Sequence, residues 1–313
     1  MKRIESQAEL SRNLKKEALK AGFSLVGIAS VPGSSRLQLR TKALQRWLQA
    51  GNQADMEWME AKKRENVENL LNGVSSLLSV GLNYYVDIKR KPQTLSIARY
   101  AWGNDYHKVI KKRLKKIGLW LQEQRPQCKW KACVDSTPLL DKAWAEEAGI
   151  GWIGKNSNII NSSKGSWIVI GHLLCTEDLI PDKPAKSLCG QCNKCMQACP
   201  TKAITEPFVV DSRLCLAYHT IENRNESIPD EIINSIGKWV AGCDICQDVC
   251  PWNQKNIPST TDPDLMPKQW ILNLTKEEAL EWSDEKWKEK LKGTSLNRIK
   301  PWMWRRNAKA TKN

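Results

Sequence analysis

Hydrophobic positions divide the first 175 residues into alternating helix and strand signals. Leu10, Leu14 and Ala18 recur at helical spacing between Gln7 and Ala21, with Ser6 placed to cap the start. The apolar run from Ser24 to Ala29 reads as a buried strand, and after the Pro32-Gly33-Ser34-Ser35 turn a helix carries Leu44, Trp47 and Leu48 to a stop at Gly51. Leu77 to Tyr85 predicts a second strand. From Tyr106 to Gln124 the pattern is two-faced: Val109, Ile110, Leu114, Ile117 and Leu121 share one side, and Lys108, Lys111, Lys112, Lys115 and Lys116 the other. Lys129 to Val134 predicts a strand that delivers Asp135 at its end, and Ser136-Thr137-Pro138 opens a helix from Leu139 to Ala148 that closes on Gly149. The stretch Gly149 to Asn156 is too glycine-rich for an element interior and suits a loop whose backbone approaches a ligand closely. Ser166 to Leu174 is the last clear strand. This alternation predicts an α/β (α+β) layered domain over residues 1–178, and further helices are expected near Asp230 to Val240 and Lys276 to Lys292.

Composition adds bounds. The chain has 313 residues, 41% of them hydrophobic, enough for one large core or two modest ones. No run approaches the roughly 18 apolar residues of a membrane helix, and the charged start Met-Lys-Arg-Ile-Glu-Ser-Gln is followed by no apolar export segment, so a cytoplasmic protein without membrane contact is expected. The net charge of +15 suits a polyanion such as nucleic acid, although a basic protein need bind none. The lysine face is either a solvated helix face or a phosphate-contacting surface. The tail from Arg298 to Lys309 interleaves arginine, lysine and tryptophan, either to grip nucleic acid or to dock its tryptophans on the protein. Tryptophan numbers 15 and phenylalanine 2, an imbalance that the sequence leaves unexplained.

The cysteines carry the strongest chemical signal. Cys189, Cys192, Cys195 and Cys199-Pro200 follow the bacterial ferredoxin spacing, in which the fourth cysteine reaches across to a second iron-sulfur cube. With Cys215 and the later run Cys243, Cys246 and Cys250-Pro251, eight ligands serve two 4Fe-4S clusters: Cys189, Cys192, Cys195 and Cys250 on one, Cys199, Cys215, Cys243 and Cys246 on the other. Zinc also uses C-x2-C pairs but requires neither the triple run nor the prolines, and disulfides do not suit a reducing compartment. A ferredoxin-like module is therefore placed at 179–256, followed by a helical, basic segment at 257–313.

Two cubes in series conduct electrons without defining a substrate. No haem C-x-x-C-H, no GxGxxG after a strand and no P-loop is present to receive them, so the α/β domain must bind the acceptor. Asp135 is the best polar candidate there. It reads either as a general acid or as the N-cap of the helix that follows, and residue statistics favour the cap.

Taken jointly, Arg99-Tyr-Ala-Trp-Gly-Asn-Asp-Tyr-His107, Val134-Asp135-Ser136, the Ala143 to Asn156 stretch, Gly165-Ser-Trp167, the ferredoxin run and Gly242 to Asn253 resemble the epoxyqueuosine reductases across nearly the whole chain. The resemblance implies reduction of epoxyqueuosine to queuosine at the wobble position of transfer RNA, through two 4Fe-4S clusters and a base-off cobalamin held by a nitroreductase-like domain. It carries the proton-donor role onto Asp135, which overturns the cap preference and predicts a carboxyl pKa raised by desolvation. Cobalamin contacts carried over by position fall on Arg64, Ala98, Asp135, Asn156, Ile159 and Ile170. Asp105-x-His107 is similar to the start of the motif that supplies an axial histidine elsewhere, but Ile110 stands where that motif has glycine. Cys215-Leu-Ala-Tyr-His219-Thr departs from the family's usual Cys-Ile-Ser-Tyr-Leu-Thr, Cys175 replaces a threonine as a spare core thiol, and the chain ends near Arg306-Asn307-Ala308 as a short form, expected to be monomeric and fed by an unidentified low-potential donor. Competing assignments are a corrinoid reductive dehalogenase-like small-molecule reductase and a ferredoxin-like electron carrier.

Overall fold

The computed structural model describes residues 6–312; the first five residues of the charged N-terminal stretch lie outside them. Helix α1 (Gln7–Lys20) starts in a capping box between Ser6 and Glu9 and buries Leu10, Leu14 and Ala18. Then follow β1 (Leu25–Ser30), α2 (Ser35–Gln49), β2 (Ser76–Asn83), the short β3 (Ser96–Ile97), α3 (Tyr106–Gln124), β4 (Trp130–Cys133), α4 (Asp141–Glu147), β5 (Trp152–Ile153), β6 (Ile159–Ile160) and β7 (Ile168–Cys175). Strands β1, β2, β7 and β4 form one sheet in that order, and every neighbouring pair is antiparallel. Strand β2 is buried on both faces along its whole length, as a central strand sandwiched between helical layers must be. Helix α3 lays its apolar stripe, led by Ile110, Leu114 and Leu121, against one face of the sheet with α1. Helix α4 covers the other with Trp144, Ala145 and Ala148.

The cysteine-rich region contributes α5 (Lys194–Ala198), the hairpin β8 (Ile204–Glu206) and β9 (Val209–Val210), α6 (Leu216–Ile221), α7 (Asp230–Ser235), β10 (Trp239–Ala241) and α8 (Ile245–Asp248). Helices α5 and α8, which carry Cys195 and Cys246, pack on each other. The chain closes with α9 (Gln269–Asn273), α10 (Lys276–Glu281), α11 (Asp284–Leu291) and α12 (Pro301–Ala310).

Three expectations change, and one open alternative is decided. The helix expected to Val240 ends at Ser235, and Trp239–Ala241 becomes a strand parallel to β3. The helix expected from Lys276 to Lys292 breaks after Glu281, because Trp282 turns into the core and Ser283 caps a new helix through the Lys286 N–H. The Gly149 to Asn156 stretch holds the β5 strand, and Gly151 and Gly154 admit the β6 backbone and the Ile160 side chain, so their close approach serves a hairpin within the chain. The tail docks inward as α12: Met303, Trp304 and Ala308 are fully buried, and Trp304 stacks on Trp282 with ring centroids 5.2 Å apart. Its arginines are committed, Arg298 to Glu222, Arg305 to Asp284 and Arg306 to the His219, Asn223 and Asn225 carbonyls.

The tryptophan excess now has a partial account. Trp282, Trp287 and Trp304 build the C-terminal core together with Trp102 of the α/β layer, and only large rings fill the space between such short helices. Replacing Trp304 with Ala is expected to cost about 3–5 kcal/mol in denaturant unfolding, whereas Trp302→Ala, at a partly exposed position, should stay within about 1 kcal/mol.

Candidate active site

Two sequence-distant segments, residues 105–107 and Asp135, meet at the N-terminal end of α3. Asp105 caps that helix by accepting the His107 N–H at 3.1 Å, and the same oxygen lies 2.7 Å from the His107 Nδ1. The cap thereby fixes the imidazole, whose Nε2 points at Asp135 Oδ2 across 2.9 Å. Tyr106 stacks on His107 and donates its hydroxyl to the same Oδ2 at 2.8 Å. Asp135 Oδ1 has no partner among the described residues, and 56% of the Asp135 side chain is open to solvent.

Asp135 does not cap the following helix. Helix α4 starts at Asp141, six residues on, and Asp135 sits in the intervening loop with φ of +41°, a left-handed conformation that aims the carboxyl at α3. The expected rise of its pKa is also reversed. Crowding by protein raises the carboxyl, but hydrogen bonds from His107 and Tyr106 outweigh that effect and hold it below the ordinary carboxylate range. Desolvation opposes a charge on His107, yet Asp105 and Asp135 on its two nitrogens raise it to about 9. With a carboxylate at each nitrogen, the ring is an imidazolium that donates from both.

Further groups surround Asp135. Arg64 donates to the Leu139 carbonyl at 3.0 Å, and burial lowers its pKa, opposed only in part by the charges of Asp141 and Asp135. Arg298 also feels Asp135, and Arg64 and Arg298 both approach Trp58, at 5.3 and 5.5 Å from its ring centroid. Lys142, one residue into α4, donates to the Ser157 carbonyl at 2.7 Å; desolvation lowers its pKa, opposed by Asp135 and Asp141 on one side and by Cys246 and Cys215 on the other. The Lys142 residue is nonetheless exposed. Asp141 is pushed up to about 8 by burial and by Asp135; it faces the Nε2 of His172 at 3.5 Å, and His172 is held neutral by complete burial and bonded through Nδ1 to Ser79. This Ser79, His172 and Asp141 line lies inside the sheet, where Ser79 is out of reach of any substrate.

The cysteines of the two runs lie close enough to influence one another's titration. Cys195 is raised by burial and by Cys189 and Cys250, and Cys250 by burial and by Cys189 and Cys192. Cys215, Cys243 and Cys246 are raised by burial and by one another or Cys199. Cys246 also feels Cys195, so the two sets adjoin. Thiolates crowded in this way need a cationic centre to offset their repulsion, and the donor set fits iron-sulfur cubes. Cys128, Cys133 and Cys175 lie apart and buried, with Cys175 against Cys128.

The remaining predicted positions border the same region. Ala98 packs on Gly242, whose φ of +70° and missing Cβ allow the approach. Asn156 donates weakly to the Cys246 carbonyl at 3.4 Å. Ile159 and Ile170 belong to the core around Leu139 and Trp144, Ile170 at its partly open edge. Sequence reasoning missed Tyr106, Lys142 and Arg298. The N-cap at Asp105 was the available signal for Tyr106, since it puts residues 106 and 107 in an exposed first turn; nothing local marked the other two.

Residues 188–253 match the family described as 4Fe-4S double cluster binding domain, and residues 64–136 match epoxyqueuosine reductase QueG, DUF1730. An epoxyqueuosine reductase of Prochlorococcus marinus (strain NATL2A) is 62% identical over 97% of both chains, and one of Synechococcus sp. (strain CC9605) is 62% identical over 98% of this chain and 95% of its own. A crystal structure of epoxyqueuosine reductase with an epoxyqueuosine-modified tRNA-Tyr stem loop superposes with a TM-score of 0.89 at 28% identity, covering 97% of this chain and 81% of that one. The Bacillus subtilis enzyme, solved with its catalytic aspartate loop swung out of the active site, superposes at 0.88 with 27% identity, covering 97% and 81%. By identity along nearly its whole length, and by the double-cluster domain within it, this chain belongs to the epoxyqueuosine reductase family.

Proposed function

We propose that this protein reduces epoxyqueuosine to queuosine in transfer RNA, in the cytoplasm and as a monomer. Removing the epoxide oxygen as water breaks two C–O bonds, forms one C=C bond and consumes two electrons and two protons. The observation that carries the reading is the Lys142 ammonium, which is under the influence of Asp135 and also of the Cys246 and Cys215 thiols. An acid and an electron source thus lie near one another. The relatives' activity and the tRNA-bound structure of a family member agree with this chemistry.

In this reading Cys189, Cys192, Cys195 and Cys250 hold one cube and Cys199, Cys215, Cys243 and Cys246 the other. Electrons enter from an unidentified donor at the exposed 188–194 edge and leave toward Lys142. A base-off cobalamin in the cleft would supply a two-electron cobalt nucleophile, restored one electron at a time. Its cradle is a nitroreductase-like domain spanning residues 1–178, beside the cluster module at 179–256 and the helical segment at 257–313. Arg64, Ala98, Asn156, Ile159 and Ile170 would line it, and Arg64 borders a pocket of about 310 Å³ with Trp144 and Leu140. The histidines fit a corrin without a protein axial ligand. Both nitrogens of His107 are engaged by carboxylates, both nitrogens of His219 by Arg213 and Asn223, and His172 is sealed in the sheet.

The protein's own part is proton management. At neutral pH the proton resides on His107, shared with the ionised Asp135 through Oδ2. Asp135 passes that proton to the leaving oxygen, and Tyr106 holds the carboxylate in line. The aspartate loop of the Bacillus subtilis enzyme supports a loop-borne acid of this kind.

Deleting the gene and analysing transfer RNA nucleosides tests the reading: epoxyqueuosine should accumulate, and unchanged queuosine would refute it. Asp135→Ala should lower turnover by at least about 10²-fold while iron content stays unchanged. Because the His107 proton is present below about 9, turnover should fall as pH rises through that value. His107→Asn removes the cation, so the alkaline limb should move to lower pH; an unmoved limb in the kcat profile would show that His107 is no reservoir.

A further inference from the structure

A groove of about 880 Å³ runs along α3, walled by the C-terminal end of α1, the end of β2 and the 258–264 loop. Six cations line it against three carboxylates. Lys108, Lys112 and Lys116 stand at successive four-residue steps of α3, a ridge with about 6 Å of rise per step. Lys20 joins from α1 and Lys164 from the turn before β7. Two of the acids, Asp262 and Asp264, are neutralised at the floor by Arg113, at 2.6 and 3.1 Å. The third is Asp105, the carboxylate that fixes His107. Lys108, Lys112, Lys116 and Lys164 make no ion pair with any described residue, although acidic loops lie close by. A merely solvated lysine face would not be expected to border a concave wall that carries its own neutralised acids.

We propose that this groove seats the phosphodiester backbone of the substrate RNA, with the α3 lysines contacting consecutive phosphates and the Asp105 end leading to the reaction site. The assignment rests on the transfer-RNA reading above and says where the RNA lies. Two observations favour nucleic acid. The tail arginines, the basic candidates at the other end of the chain, are used up in internal contacts, whereas the α3 ridge is left free. The groove also ends on the residue that orients the proton relay, so a strand lying in it delivers a nucleotide toward Asp135 without crossing the cluster module. Regularly spaced, unpaired ammonium groups suit a repeating anion, and lysine contacts phosphate as a point charge without reading bases.

The test is salt-dependent binding of an unmodified anticodon stem-loop RNA by the cluster-loaded protein, comparing wild type with Lys112→Ala/Lys116→Ala and with Lys112→Arg/Lys116→Arg. Both lysines are exposed, so folding should survive, and iron content verifies it. The alanine pair should reduce the slope of log K against log salt by about 1.5 and weaken binding roughly tenfold at 0.1 M salt, and the arginine pair should retain both. Alanine variants with wild-type affinity and slope would overturn the groove assignment while leaving the reaction intact, since wild-type reduction of epoxyqueuosine in transfer RNA is scored separately. Unchanged RNA binding, with turnover lost only when electrons come from an acidic protein donor and kept with a chemical reductant, would also overturn it and give the groove to that donor.

Discussion

Two arginines and two aspartates, largely buried between the α/β layer and the cysteine-rich module, hold the molecule in its working arrangement. Arg90 and Arg99 both reach Asp244, at 2.5 and 3.2 Å, and both reach Asp248, at 3.4 and 2.7 Å. Asp244 lies between Cys243 and Cys246, so the contact fixes the helix that presents those thiols. A buried ion pair adds little stability over an apolar substitute, but loss of one partner is costly, which makes such a contact a device for fixing one geometry. The guanidinium groups are also stacked: Arg99 over Trp102 and Trp167, Arg90 over Trp102 and Trp239. Their charges are thus packed in aromatic surface where water would otherwise be needed.

A second weld runs parallel to the first. Asn253 takes the Ser166 N–H at 2.6 Å and donates to the Ser166 hydroxyl and the Gln247 carbonyl at 2.8 Å, while Gln247 accepts from Ser166 and Tyr84. These contacts give a physical role to the Gly165-Ser-Trp167 and Trp252-Asn253 segments, which otherwise read only as signatures. Together the two welds set how the cysteine-rich module sits against the α/β layer. The site's chemistry therefore depends on contacts that touch neither Asp135 nor the cysteine thiols.

The acid shows most clearly how environment governs character. Placed in a cleft, an aspartate would be expected to hold its proton. Here the same crowding acts on a carboxylate, a phenol and an imidazole at once, and the imidazole, flanked by two carboxylates, takes the charge. Desolvation was legible from the expected pocket. The partners were not, because Tyr106 and His107 lie 29 and 28 residues from Asp135 along the chain.

The sequence by itself determined what repeats locally. The apolar stripe of α3 marked both of its ends, Ser6 marked the start of α1, and the cysteine spacing announced two cubes. Resemblance supplied the substrate and the role proposed for Asp135. Only the tertiary structure decided whether Asp135 capped a helix or met one, whether the tail faced solvent or docked Trp304, and which glycines served the chain's own hairpin. Periodicity reports one face of one element. These three outcomes turn on partners distant in sequence, and no local pattern encodes which of them the fold brings within hydrogen-bond reach.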